Sequence, residues 1–146
     1  MVTEGGMTDE AWLARAVELA LENAAAGERP FGAIVVIDGE EIASGVNRAL
    51  QDGDPTAHAE LLAIREAARR RGSLSLAGAT VYASGEPCPM CETAAHHAGV
   101  DRVVFAAESQ LALEAGLGPA GPSPSVEHLP VEGAKRPFVV WLAGRP

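Results

Sequence analysis

Apolar and polar residues recur with a helical period over residues 8–26. The apolar residues on one side of such a helix are Leu13, Val17, Ala20, Leu21 and Ala24. That side is expected to face a core. Thr8 precedes the pattern and is a candidate N-cap, and Gly27 would end the helix.

A pattern typical of a β-hairpin comes next. In "GAIVVIDGEEIASGVN" the sequence predicts a strand at "AIVVI", a turn at "DG" and a return strand at "IASGVN". The further elements predicted are a helix near 57–71, a strand at "ATVYAS", a helix near 88–98, a strand at "DRVVFAA" and a last strand at "FVVWLAG". Strands that alternate with helices favour an α/β fold, in which helices cover a sheet with parallel neighbours.

Residues 116–130, "GLGPAGPSPSVEHLP", combine four prolines with three glycines and predict a loop. A loop of this length in a small domain is either functional or disordered. No second domain is visible, and 146 residues fit one domain, residues 1–146.

The charge balance narrows the class of partner. Lys and Arg total 11 and Asp and Glu total 20, which gives a net charge of −9. Such an acidic chain is a poor candidate for general binding to nucleic acid. No apolar run is long enough to cross a membrane, and the first residues lack the pattern of a signal peptide. We therefore expect a cytoplasmic protein with no membrane partner.

The two cysteines of the chain form one C-x-x-C pair, Cys88 and Cys91, at the start of a predicted helix. In a reducing compartment such a pair is more typical of metal binding or redox chemistry than of a structural disulfide. His58, at the start of the other helix, would be a third zinc ligand. Three protein ligands leave a place for water, whereas a structural site needs four. His96, His97 or His128 would then close the site.

Glu60 follows His58 by two residues, where a long carboxylate can reach the same centre from an open helix start. A carboxylate that is not a ligand can carry the protons of a water activated by zinc. Two alternatives of other classes remain: a zinc-stabilised binding module with a fourth ligand, and a dithiol redox protein. The combination of H-x-E with a later P-C-x-x-C is the signature of zinc nucleobase deaminases.

The stretches "PTAHAELLAIREA", "SGEPCPMC" and "RVVFAA" resemble the cytidine-deaminase-like superfamily, and "PFGAIVV" extends the similarity. The more similar branch contains guanine deaminases, cytosine deaminases and tRNA adenosine deaminases. The resemblance implies a three-layer α/β/α fold with a mixed five-stranded sheet, Zn²⁺ at two helix N-termini, and hydrolytic deamination. By position, His58, Cys88 and Cys91 resemble the zinc ligands, and Glu60 resembles the proton shuttle for a zinc-bound hydroxide.

The resemblance also suggests residues that contact the substrate. Asn47 corresponds to the base-contacting Asn of the family and Phe31 to an aromatic of the pocket wall. The backbone N–H of Ala59 or that of Cys88 would also serve the site. His97 lies where guanine deaminases tend to carry aromatic residues, and Glu114 would replace an acidic group of those enzymes.

The aligned acidic positions hold Gly118 and Pro119, and a C-terminal contribution to the guanine pocket is expected to be missing. The substrate is therefore expected to be a small nucleobase or nucleoside with a guanine-, cytosine- or aminated triazine-type ring. tRNA adenosine deamination is the alternative. The resemblance implies a homodimer.

Overall fold

The structure is a computed structural model that describes residues 6–144. Its strands are β1 (Gly32–Ile37), β2 (Glu40–Val46), β3 (Ala79–Gly85) and β4 (Arg102–Ala107). Its helices are α1 (Asp9–Ala25), α2 (Ala49–Asp52), α3 (Ala59–Arg71), α4 (Pro89–His97), α5 (Ser109–Glu114) and α6 (Arg136–Ala143). The strand order is β2-β1-β3-β4, and only β3 and β4 are parallel. The expected mixed α/β sheet is confirmed.

The described residues form four strands, so the prediction of five strands is wrong. The segment "FVVWLAG", predicted as a last strand, lies in α6. A short apolar run does not distinguish a strand from a helix by periodicity. Pro137 occupies the first turn of α6, where its missing N–H breaks no helical hydrogen bond. Because this segment is a helix, β4 forms one edge of the sheet.

The hairpin is confirmed where its turn was predicted. Asp38 and Gly39 both have positive φ, 51° and 76°, between the paired residues Ile37 and Glu40. A two-residue turn of this kind needs positive φ at both positions, which Asp-Gly adopts readily.

The start of α1 is also confirmed, since the Thr8 hydroxyl accepts a hydrogen bond from the N–H of Ala11 at 3.1 Å. The predicted buried side is wrong in part. Val17 and Leu21 are 44% and 69% exposed, whereas Ala16 is fully buried. A Cβ atom added to Gly32 would lie 2.7 Å from the carbonyl oxygen of Ala16, so α1 packs on β1 through small residues.

Helices cover both faces of the sheet. On one face, α1 packs through Trp12 against Ile34 and Tyr82. On the other face, α3 covers β1 and β2, and α4 packs beside α3. The buried core of this second face consists largely of alanines, which are Ala33, Ala43, Ala59, Ala63, Ala67, Ala79 and Ala95. Small side chains bring α3 close to the sheet.

Residues 116–130 contain neither helix nor strand, as predicted, and residues 118–144 are exposed throughout. Over residues 6–144, none of the helices combines the length and the apolar character that crossing a membrane requires.

Candidate active site

His58 is fixed by the loop that precedes α3. The Asp54 carboxylate accepts hydrogen bonds from the N–H and the hydroxyl of Thr56, at 2.9 and 2.7 Å. His58 follows as the N-cap residue of α3, with an extended backbone. Its ring also hydrogen-bonds the backbone of Pro55. Hydrogen bonds of this kind orient the imidazole of metal-binding histidines.

The two cysteines face this imidazole from the start of α4. Cys88 is the N-cap residue of α4, and Cys91 lies in its first turn. Nδ1 of His58 is 3.5 Å from Sγ of Cys88 and 3.6 Å from Sγ of Cys91. All three ligand atoms lie within 4.8 Å of one another, and among residues 6–144 no other group of His, Cys, Asp or Glu meets this criterion. The predicted ligand residues are therefore brought together.

This donor set fits zinc, which binds thiolate sulfur and imidazole nitrogen. Burial, and then the positive charge of Arg29, lower the pKa of His58, which favours the neutral imidazole that a metal needs. Burial raises the pKa of the Cys91 thiol, and the charges of Glu60 and Cys88 add to this effect. A cation among these groups reverses that balance by coordinating the thiolate, and the N-termini of α3 and α4 act in the same direction.

Glu60 lies beside the three ligand residues without belonging to their group. It is 7% exposed, in the first turn of α3. Burial raises the pKa of Glu60, and a hydrogen bond from the Cys91 thiol acts against that rise. A carboxyl group with a raised pKa is suited to take up and release protons near neutral pH.

Asn47 lies at the end of β2 and is 2% exposed. Its Oδ1 accepts a hydrogen bond from the N–H of Ala49 at 2.9 Å. Its own backbone N–H donates to the carbonyl oxygen of Phe31 at 3.1 Å. With Oδ1 engaged, the NH₂ group is the part of the amide that is suited to donate to a ligand.

Phe31 is half-buried and its ring contacts β3. A Cβ atom added to Gly85 would lie 3.2 Å from Cε1 of Phe31, so the ring packs where that glycine leaves room. A groove of about 350 Å³ opens beside Phe31 and is lined also by Val17 and Leu111. None of the three ligand residues lines this groove.

The other predicted substrate contacts are placed differently. Ala59 is fully buried at the first position of α3, where helix N–H groups have no acceptor within the helix. His97 is exposed at the opposite end of α4 from the cysteines. Glu114 is exposed on α5 and accepts a hydrogen bond from Gln110 at 3.3 Å. The structure does not bring His97 or Glu114 to the ligand group, and their contacts with a substrate stay predictions.

Sequence reasoning missed Gly45, which lies under the start of α3. A Cβ atom added there would lie 2.5 Å from the carbonyl oxygen of Ala59 and 2.9 Å from the N atom of Ala63. A glycine inside a predicted strand is a signal of close backbone approach, and it was available in the sequence. Asn23, which donates to the carbonyl oxygen of Asn47, and Glu28, which accepts from the N–H of Gln51, had no such signal.

The fold and the ligand group together define a class, a zinc hydrolase built on two helix N-termini. Residues 7–107 match the model of the family described as cytidine and deoxycytidylate deaminase zinc-binding region. The chain belongs to this family, and it is a zinc-dependent deaminase that acts on the C–N bond of a nucleobase.

The guanine deaminase of Bacillus subtilis is 48% identical over 112 residues, which are 76% of this chain and 72% of that protein. Its crystal structure matches with a TM-score of 0.86 and 38% identity, over 95% of this chain and 96% of that one. The tRNA-specific adenosine deaminase of Bacillus subtilis is 42% identical over 99 residues. That match covers 68% of this chain and 62% of the tRNA deaminase. The predicted family, reaction class and zinc cofactor are confirmed.

Proposed function

We propose that this protein deaminates guanine. Water would add to the ring carbon that carries the amino group, and that group would leave as ammonia, so that a carbonyl replaces it. The observation that carries the deamination is the buried Glu60 carboxyl group, which hydrogen-bonds Cys91 of the group that also holds His58 and Cys88.

The roles divide between the metal ligands and the proton carrier. His58, Cys88 and Cys91 would hold Zn²⁺, which when bound lowers the pKa of a water molecule to about 7. Glu60 takes a proton from the attacking water and delivers it to the ring nitrogen beside the attacked carbon. It then transfers the second proton of that water to the departing amino group. Its raised pKa makes the carboxylate a better base for taking each proton, and the carboxylic acid so formed donates that proton in the following step.

Asn47 and Phe31 would bind the base. The Asn47 NH₂ group suits an acceptor on the edge of a purine, and its fixed Oδ1 gives it one orientation. An aromatic ring such as that of Phe31 offers a stacking surface to a planar base.

Guanine is favoured over an RNA substrate by two observations. The sequence match covers 72% of the Bacillus subtilis guanine deaminase at 48% identity, and 62% of the tRNA deaminase at 42% identity. The net charge of −9 also opposes a phosphate backbone.

The test is ammonia release by the zinc-loaded protein. Guanine, cytosine, adenine, aminated triazines, their nucleosides and a tRNA anticodon stem-loop are offered, with Glu60→Ala as the control. We expect turnover of guanine that is abolished in Glu60→Ala while zinc is retained. Turnover of another substrate alone, or turnover that survives in Glu60→Ala, would refute the proposal.

We also propose that the protein is a homodimer. On one side of helix α6, Phe138, Val139 and Leu142 are exposed to 68%, 62% and 67%. A contiguous apolar surface of this kind is typical of an interface. We expect a second copy of this chain to cover this surface, because symmetric dimers are the commonest oligomers.

Light scattering after size exclusion tests the dimer. We expect twice the mass of the chain for the unchanged protein and the mass of one chain for Leu142→Asp. Val126→Asp is the matched control, because Val126 is 95% exposed outside any helix and should leave the dimer intact. A monomeric unchanged protein at micromolar concentration would overturn this proposal.

A further inference from the structure

The two segments that carry the proposed base contacts are held together by one side chain of α1. Nδ2 of Asn23 donates to the carbonyl oxygen of Arg29 at 2.8 Å and to that of Asn47 at 2.9 Å. The backbone of Asn23 takes part as well, since its carbonyl oxygen accepts the N–H of Glu28 at 3.0 Å. One amide group thus links the segment before Phe31 to the segment that contains Asn47.

The carboxylate of Glu28, in the segment before Phe31, reinforces this link. Glu28 accepts hydrogen bonds from the N–H groups of Leu50 and Gln51, at 3.3 and 2.8 Å, and from that of Arg29 at 2.9 Å. These amides belong to the start of α2 and to the segment before Phe31. We call Asn23 and Glu28 together the Asn23–Glu28 clamp.

The clamp acts on Asn47 from the backbone side. The carbonyl oxygen of Asn47 is held by Asn23, its N–H by Phe31, and its Oδ1 by the N–H of Ala49. Every polar group of the residue other than its NH₂ group therefore has a fixed partner. No member of the clamp belongs to the group formed by His58, Cys88 and Cys91.

We propose that Asn23 is a positioning residue for substrate binding, which acts through Asn47 and leaves the metal group unaffected. This inference rests on the proposed function, in which Asn47 contacts the base. Loss of the Asn23 amide frees the Asn47 carbonyl and allows the segment to rotate. Binding of the base then weakens, while the chemistry at Glu60 continues once the base is bound.

The test compares the steady-state kinetics of guanine turnover in matched variants. Asn23→Ala removes both donors, and Asn23→Asp keeps the shape but turns an oxygen towards two carbonyl oxygens. Glu22→Ala is the control, because Glu22 is the exposed preceding residue of α1. We expect KM to rise by about tenfold in both Asn23 variants with kcat little changed, which is the pattern of lost ground-state binding. Zinc content should stay at the level of the unchanged protein.

A double-mutant cycle then separates positioning from a general loss of structure. If Asn23 acts through Asn47, adding Asn23→Ala to Asn47→Ala should leave KM as it is in Asn47→Ala alone. An unchanged KM in either folded Asn23 variant would overturn the inference, as would a full further tenfold rise in the Asn47→Ala background. If the unchanged protein turns over no guanine, the proposed function fails and this inference fails with it. Turnover by the unchanged protein makes the two failures distinguishable.

Discussion

Replacement of Gly45 by alanine should displace the start of α3 and impair the site without removing any functional group. The added Cβ atom would lie 2.5 Å from the carbonyl oxygen of Ala59, about 0.9 Å closer than an ordinary contact of 3.4 Å. Both nearest atoms belong to the backbone of α3, so no side chain can rotate away. The start of α3 and β2 must therefore move apart, and α3 carries His58 as its N-cap residue and Glu60 in its first turn.

The expected size of the effect follows from that displacement. Overpacking of a core typically costs about 1–3 kcal/mol of unfolding free energy. A misplacement of about 1 Å at a catalytic centre can cost about 100-fold in rate. For Gly45→Ala we expect a loss of kcat/KM of about 10- to 100-fold, measured by ammonia release, and weaker retention of zinc against a chelator.

Gly121→Ala is the matched control, because Gly121 has no atom within 4 Å of an added Cβ and does not have a left-handed φ. It should keep both the activity and the unfolding midpoint of the unchanged protein. If Gly45→Ala behaved like Gly121→Ala in both measurements, the reasoning from close packing would be refuted.

Three further predictions concern charge and metal. Glu60→Gln should lower kcat by about 100-fold or more, as expected for loss of a proton carrier. In the same variant the zinc-free protein should unfold at higher temperature at pH 8, because burial raises the pKa of Glu60. With a raised pKa, Glu60 binds its proton more tightly in the folded state than in the unfolded state. The buried carboxylate therefore destabilises the unchanged protein as the pH rises above 4.5, and the two proteins should unfold at the same temperature at pH 4. Asp9→Asn should cost about 1–2 kcal/mol in denaturant unfolding, because the Asp9 carboxylate bonds Tyr82 and Arg102 at 2.5 and 2.9 Å. These partners lower the pKa of Asp9, so the stabilisation by its carboxylate should be complete above the ordinary pKa of 3.8 and should decline as the pH falls below that value. The control is Asp52→Asn, which removes an exposed ion pair with Arg48 and should change the unfolding free energy little. Treatment with a chelator should abolish ammonia release and lower the unfolding temperature, and added Zn²⁺ should restore both.

Much of the site was predictable because its signals are local in sequence. The C-x-x-C pair and His-x-Glu each begin a helix, and a helix start places ligands at defined positions. The hairpin turn was predictable for the same reason, since Asp38 and Gly39 suit positive φ whatever surrounds them. Preferences of this kind depend on neighbours in sequence and not on tertiary contacts, so they can be predicted from the sequence.

The errors arose where the outcome depends on neighbours. The apolar residues of α6 fit either a strand or a helix, and no partner strand lies beside them in the described residues. The buried side of α1 was decided by how closely Ala16 can approach Gly32, and not by which side is more apolar. The bonds of Asn23 go to carbonyl oxygens that only the folded chain brings near.

The alanine-rich core between the sheet and α3 limits where this protein can change. Ala59, Ala63 and Ala67 are each fully buried, so a larger side chain at these positions meets packed atoms instead of open space. Mutational tolerance in this region should be low for every enlarging substitution, whatever its polarity. In the segments that contain Phe31 and Arg48, these two side chains are only half-buried and can be replaced with less effect on packing. Variants selected for a new ring substrate should therefore accumulate changes in those segments, while the interior sequence stays nearly constant.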